Sequence, residues 1–141
     1  MRINILDEND SPPKLEDNFS IRLSEAFYPG HEVARVRATD EDQIKDLTYS
    51  VSLSTQAFLQ IGAKTGVLTL KRSIDREEYS SLEVAIQVSD GLHSVEWKRR
   101  VPVEDINDNA PIFSQPQFSF DISETAERGA FVGRIDAFDL D

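Results

Sequence analysis

Apolar and polar residues alternate with period two in several short stretches of this chain, the spacing that turns one face of a β-strand toward a core. Leu47, Tyr49, Val51 and Leu53 alternate with Thr48, Ser50 and Ser52, and Leu82, Val84, Ile86 and Val88 alternate with Glu83, Ala85, Gln87 and Ser89. Val95, Trp97, Val101 and Val103 fit a third strand, in which Arg99 breaks the pattern. Weaker alternations run through Ala34, Val36 and Ala38 and through Phe19, Ile21 and Leu23. Lys64-Thr65-Gly66 separates Phe58-Leu59-Gln60-Ile61 from Val67-Leu68-Thr69-Leu70, a hairpin signal with glycine available for a positive φ. No stretch carries a convincing helical stripe. About seven short strands in roughly 95 residues predict an all-β, two-sheet sandwich.

The chain also repeats itself. Asp7-Glu8-Asn9-Asp10-Ser11 returns 98 positions later as Asp105-Ile106-Asn107-Asp108-Asn109. Phe19-Ser20-Ile21 returns as Phe118-Ser119-Phe120, Ser24-Glu25 as Ser123-Glu124, and Ala38-Thr39-Asp40-Glu41-Asp42 as Ala137-Phe138-Asp139-Leu140-Asp141, each at an offset of 99. Four matches in one order, with one single-residue slip, predict a window cut from a tandem array. Residues 1–10 read as the last strand and linker of a preceding unit, 11–108 as a complete unit, and 109–141 as the opening of the next. That opening holds only the first two strands of a unit and is not expected to close a sandwich.

Charge narrows the function. The 141 residues hold 15 Lys and Arg against 26 Asp and Glu, a formal charge of −11, which disfavours nucleic acid and anionic membrane surfaces as partners. No apolar run approaches the ~18 residues of a membrane span, and the apolar stretch in Met1–Leu6 is too short for a signal peptide. With no cysteine, disulfides and thiolate metal sites are excluded. A nucleophile elbow, a phosphate-cradling glycine loop and a catalytic dyad are all missing, so no enzyme is expected.

The linker motif Asp105-x-Asn107-Asp108-Asn109-Ala110-Pro111 carries the distinctive chemistry. Calcium takes about six to eight hard oxygen ligands from carboxylates, amides and backbone carbonyls. Alternating Asp and Asn provide several within five residues, and the proline stiffens the exit. Asp, Asn and Pro also dominate ordinary turns; recurrence at a boundary, in step with three other acidic motifs, favours the metal. An EF-hand does not fit. A loop starting at Asp7 has Pro12 where glycine is required and Asn18 where glutamate is, and one starting at Asp105 has Ala110 and Pro116.

Together, Asp-x-Asn-Asp-Asn-x-Pro, Ser24-Glu25, Asp75-Arg76-Glu77 and Ala38-Thr39-Asp40-Glu41-Asp42 resemble the calcium-binding motifs of extracellular cadherin repeats, and the resemblance covers the whole chain. It implies a seven-stranded Greek-key β-sandwich of immunoglobulin-like architecture, stacked in tandem, with up to three Ca²⁺ at each complete inter-repeat junction. At the second junction it implies Glu25, Asp75 and Glu77 from the complete repeat and Asp105, Asn107 and Asp108 through linker side chains. Ile106 and Asn109 would offer backbone carbonyls, and Asp139 and Asp141 would come from the next repeat. A third ion there would need an Asp beyond Asp141. At the first junction, which lacks the glutamates of the preceding repeat, it implies Asp7, Asn9, Asp10, Ser11, Asp40, Asp42 and Asp90. Ser11 stands where the family has Asn, a position that binds through its carbonyl. Gln43-Ile44-Lys45-Asp46 stands where a longer Gly-x-Asn loop is expected.

The same resemblance implies a calcium-dependent cell–cell adhesion protein on the extracellular side of the plasma membrane, held there by a single membrane span outside this sequence. Its partners would be calcium, other cadherin repeats in cis, and cadherins in trans through regions beyond this fragment, including homophilic adhesion. A mechanical or signalling spacer of a long, non-homophilic cadherin is the alternative, and a carbohydrate-binding or enzymatic sandwich a more remote one. His31 and His93 are isolated and read as surface-turn residues. Trp97 reads as core packing and not as an adhesive strand-swap anchor. Asn18-Phe19-Ser20 fits an N-glycosylation acceptor, and Asn9-Asp10-Ser11 does too, although calcium and the following Pro12 compete there. Lys98-Arg99-Arg100 reads as an exposed basic patch. The acids Glu25, Asp75, Glu77, Asp105, Asp108, Asp139 and Asp141, with Asp7, Asp10, Asp40, Asp42 and Asp90, make twelve; removing them from the 26 leaves 14 against 15 bases. The excess negative charge is thus concentrated in the two junctions.

Overall fold

The computed structural model describes residues 3–4, 6–16, 18–42 and 46–141. The start at Met1-Arg2 and most of the short Gln43-Ile44-Lys45-Asp46 loop therefore lie outside the described residues. The chain divides into two compact units, Met1–Ile106 and Asn107–Asp141.

The first unit runs β1 (Lys14–Leu15), β2 (Leu23–Ser24), β3 (Glu32–Arg35), β4 (Ala38–Thr39), β5 (Thr48–Val51), α1 (Leu53–Gln56), β6 (Leu59–Ile61), β7 (Val67–Leu70), β8 (Ser81–Ser89) and β9 (Ser94–Glu104). One sheet has the order β2-β9-β8-β5, the other β3-β7-β6, and β1 pairs with β4 alone. Their inner faces enclose a core that includes Leu23, Val36, Leu59, Leu68, Leu70, Val84 and Ile86, all essentially without solvent exposure. β8 and β9 pair through nine residues, from Ser81↔Pro102 to Ser89↔Ser94, and form the backbone of the larger sheet. Leu82, Val84, Ile86 and Val88 all point inward, as their alternation requires. Trp97 packs against the core edge with its ring 5.0 Å from that of Phe19.

β6 and β7 form the expected hairpin, with Leu59 opposite Leu70 and Gly66 at φ 64°. A Cβ at Gly66 would lie 2.2 Å from the Val36 carbonyl oxygen, so close approach adds to the conformational demand.

Two sequence expectations need correction. Leu53 does not continue the strand of Tyr49 and Val51; it opens the short helix α1 and is 87% exposed. Ser52 stops the strand by capping that helix, its side chain accepting the Thr55 N–H. Thr55, buried beneath, accepts the Ala85 N–H at 2.9 Å, which explains why Ala85 is buried despite its outward phase. Likewise, Phe19 and Ile21 lie outside any ladder. They lean on the core as partly buried residues, and the strand proper begins at Leu23, which pairs parallel to Val103.

The second unit contains β10 (Ile112–Phe113) and β11 (Ala137–Phe138), antiparallel with Ile112 opposite Phe138. Ile112, Phe113, Ile122, Phe131, Ile135, Phe138 and Leu140 are each more than half exposed. Two short strands cannot bury such a set.

Candidate metal centre

The first unit gathers the expected acids into two groups. In one, Glu25 follows β2, Glu77 lies in the turn after β7, and Asp105 follows β9. The parallel pairing of β2 with β9 fixes this, because the Glu25 N–H donates to the Glu104 carbonyl at 3.2 Å. One carboxylate oxygen each from Glu25, Glu77 and Asp105 falls within 4.8 Å of the others. Glu25 Oε2 accepts the Arg76 N–H at 3.0 Å and Oε1 accepts the Ile106 N–H, and these backbone donors hold its carboxyl below the usual carboxylate range. The Arg76 guanidinium lies 3.0 Å from both Glu77 Oε1 and Asp105 Oδ1 and supplies a positive charge to the group. Asp75 does not join these three. Its Oδ1 accepts the N–H groups of Glu77 and Glu78 at 3.0 and 3.3 Å, so it caps its own turn.

The remaining acids are joined through hydrogen bonds and not by close approach of their carboxylates: Asp40 and Asp42 are only 6% and 5% exposed, which is rare for acids. Asp40 Oδ1 accepts the Asp42 N–H at 3.0 Å, and Asp42 Oδ2 accepts the Ser11 N–H at 3.1 Å. Asp40 Oδ2 is buried and has no hydrogen-bond partner among the described residues. Asp90 ends the β8 side of the hairpin with its side chain closed to solvent. Burial pushes its carboxyl up, but hydrogen bonds from the backbone of His93 and Leu92 and from the His93 ring bring it below its ordinary value. His93 Nδ1 is 3.2 Å from Asp90 Oδ2 and 3.3 Å from Asn9 Oδ1. Asn9-Asp10-Ser11 links the two hydrogen-bonded sets, with Asp10 Oδ1 facing the Ser11 hydroxyl at 3.4 Å. Asp7 is exposed, upstream of these.

The second unit holds its own set. Asp141 accepts the Asn109 N–H at 2.9 Å and the Asn109 side-chain amide at 2.8 Å, and the same amide reaches Asp108 Oδ1 at 3.0 Å. Asp139 Oδ1 accepts the Asp141 N–H at 3.3 Å. The Asn109 side chain is the main cause of the lowered Asp141 carboxyl. Asn109 was expected to act only through its carbonyl; its amide also orients two acids. Asn107 is exposed, as is Ile106 at 38%.

His93 and Arg76 are the residues that sequence reasoning missed. His93 is not an isolated turn residue but half-buried against two expected ligands. The signal was present in Asp90-Gly91-Leu92-His93, a tight turn with Gly91 at φ 98°, which returns the residue three after Asp90 to its carboxylate. His31, by contrast, stacks on Phe27 with centroids 3.9 Å apart.

These donors suit calcium. They are hard oxygens throughout, the Glu25–Glu77–Asp105 oxygens are close enough to share an ion, and Asp40 Oδ2 is a buried acceptor awaiting a partner. A Cadherin domain model matches residues 19–104. Over 140 residues the chain is 34% identical to Protocadherin Fat 4 of Mus musculus, covering 99% of this chain and 3% of that protein. A structure of Protocadherin gammaB7 EC3-6, described as a cis-dimer, superposes with a TM-score of 0.86 at 27% identity, covering 98% of this chain and 37% of that one. Mouse Cadherin-23 EC22-24 gives 0.81 at 27%, covering 96% and 45%. The chain thus spans only a small part of the relatives it matches.

Proposed function

The chain belongs to the cadherin domain family, and from that premise we propose that it is a calcium-stiffened spacer of a cell-surface adhesion protein. Residues 11–108 are the complete repeat, 1–10 end the preceding one, and 109–141 open the next. Cadherin domains belong to adhesion proteins and not to enzymes, and among the described residues no helix is long and apolar enough to cross a membrane. The proposed location is the extracellular side of the plasma membrane, within a longer anchored protein that meets other cadherins in cis and in trans.

The observation that carries this reading is the convergence of Glu25, Glu77 and Asp105 on one end of the sandwich, with ligand oxygens within 4.8 Å of one another. Glu25, Asp75, Glu77, Asp105 and Asp108, with Asp139 and Asp141, hold the second junction, where Asn107 and the carbonyls of Ile106 and Asn109 complete the oxygen set. Asp75 rotates from its capping role to do so. Asp7, Asn9, Asp10, Ser11, Asp40, Asp42 and Asp90 hold this chain's share of the first. Bound calcium supplies two positive charges per ion and about six to eight coordination positions. Seven carboxylates at the second junction carry seven negative charges; two ions bring four positive ones, and a third, completed by an Asp beyond Asp141, brings two more against one further negative charge, so most of the charge is offset. Stripped of the metal, the same carboxylates repel one another and the linker gains freedom. A stiff rod then becomes a hinged chain.

Asp108→Ala tests the assignment. It should weaken calcium binding while leaving the melting of the first unit in chelator unchanged. Outright unfolding would make Asp108 a structural residue. A second reading is a tension-bearing or signalling spacer without homophilic contact, as the likeness to Protocadherin Fat 4, of which the chain matches 3%, suggests.

A further inference from the structure

We propose that His93 is a positioning residue for the calcium-binding end built by Asn9, Asp40, Asp42 and Asp90, its Nδ1–H holding Asn9 and Asp90 as oxygen ligands. The inference rests on the calcium reading above and extends it to a residue of another chemical type.

The backbone of His93 is fixed first. Ser89 pairs with Ser94 at the end of the β8–β9 ladder, and the Ser89 hydroxyl donates to the His93 carbonyl at 2.8 Å. The N–H groups of Leu92 and His93 both donate to Asp90 Oδ1. The ring is then aimed by the turn, with Nδ1 3.2 Å from Asp90 Oδ2 and 3.3 Å from Asn9 Oδ1. A carboxylate only accepts, so Nδ1 carries the hydrogen. Asn9 must then present its amide oxygen, not its nitrogen, to the same hydrogen. One shared donor therefore sets two things at once, the Asp90 rotamer and the face of Asn9, a residue 84 positions away.

This matters because the site has a demand of its own. Asp40 Oδ1 accepts the Asp42 N–H and Asp42 Oδ2 accepts the N–H of Ser11, two residues after Asn9, so Asp40 is tied to this end; it is 6% exposed and its Oδ2 has no hydrogen-bond partner among the described residues, a buried carboxylate oxygen left for a cation. An amide turned nitrogen-first would offer that cation a donor where it needs an acceptor. Outer-shell groups that orient ligands are worth about 10–100-fold in metal affinity.

The test is calcium titration of the full chain, followed at the backbone amide resonances of Leu92 and His93, whose N–H groups rest on Asp90 and so report this end specifically. His93→Asn places an amide nitrogen where Nδ1 stood, His93→Gln places it where Nε2 stood, and His93→Leu places none. The expected result is a midpoint for His93→Asn within about threefold of wild type, with His93→Gln and His93→Leu about 10–100-fold weaker. Melting in chelator should remain equal for His93→Asn and His93→Gln. Equal midpoints for all four proteins, or equal losses in His93→Asn and His93→Gln, overturn the role of His93 while leaving calcium binding intact. Wild-type amides that stay still to about 10 mM calcium, tenfold above the weak end for extracellular sites, overturn calcium binding at this end and this inference with it, while the reading of the Glu25, Glu77 and Asp105 end is decided separately by Asp108→Ala. If His93→Leu fails to fold, the Asn–Gln contrast decides alone.

Discussion

Replacing Asp40 with asparagine should change the sign of its effect on stability when calcium is added. Asp40 is 6% exposed, accepts the Asp42 N–H through Oδ1, and has no partner for Oδ2 among the described residues. An unsatisfied buried acceptor costs about 1–3 kcal/mol, and more when charged. Asparagine keeps the Oδ1 acceptor and exchanges a charged, unpartnered oxygen for a neutral amide nitrogen, which still lacks a partner but costs less to bury, so in chelator the variant should be more stable by about 1 kcal/mol. For a domain of this size, that raises Tm by roughly 4–8 °C. In calcium the order should reverse. At a concentration 100 times Kd, binding adds about 2.7 kcal/mol to wild type. Loss of a charged ligand should weaken binding at least as much as the roughly hundredfold upper end seen for outer-shell groups, which leaves the variant a gain of no more than about 0.4 kcal/mol. Wild type then leads by roughly 1 kcal/mol, the balance of those three magnitudes. Paired melting curves in chelator and in calcium read both differences. A variant that is less stable than wild type in chelator would show that Asp40 serves the fold. An equal calcium gain in both proteins would remove it from the metal site.

Two further outcomes follow from the same structure. Gly66→Ala should cost at least about 1–2 kcal/mol for the left-handed backbone, and more from the 2.2 Å approach to the Val36 carbonyl; the loss should be the same with and without calcium, by urea unfolding. In metal-free protein, acid should destabilise the first unit. Backbone donors from Arg76 and Ile106 lower Glu25, and the Arg22 side chain lowers Glu104. Both contributions are complete above the ordinary value of 4.5 and are lost as pH falls through the lower folded values. Urea midpoints in chelator should be flat above about pH 5 and fall below it, and Arg22→Gln should shallow the fall; a midpoint that rises on acidification would contradict this.

The sandwich was legible because a half-buried strand writes its burial into period two, and Leu82 to Val88 and the Gly66 hairpin are read directly. Leu53 was misread because a capping serine ends a strand without changing the alternation before it. The parallel pairing of Leu23 with Val103 has no periodic signal, since it joins positions 80 residues apart. Recurrence singles out the acids in the sequence, but nothing in it tells which of them come together. Asp75 fits the motif, yet in the structure its carboxylate is spent on the turn it starts. His93 and Arg76 are missed for a related reason: their relevance comes from turns that bring them to carboxylates, and residue type alone does not reveal it.

The account stands most directly on calcium itself. The chain, stripped with chelator and titrated with Ca²⁺, should bind with Kd of about 10⁻⁶ to 10⁻³ M, across the range of sensor and extracellular sites. The melting temperature of the first unit should climb along with occupancy. A melting curve that calcium leaves unchanged up to about 10 mM, tenfold above the weak end of that range, would contradict the account.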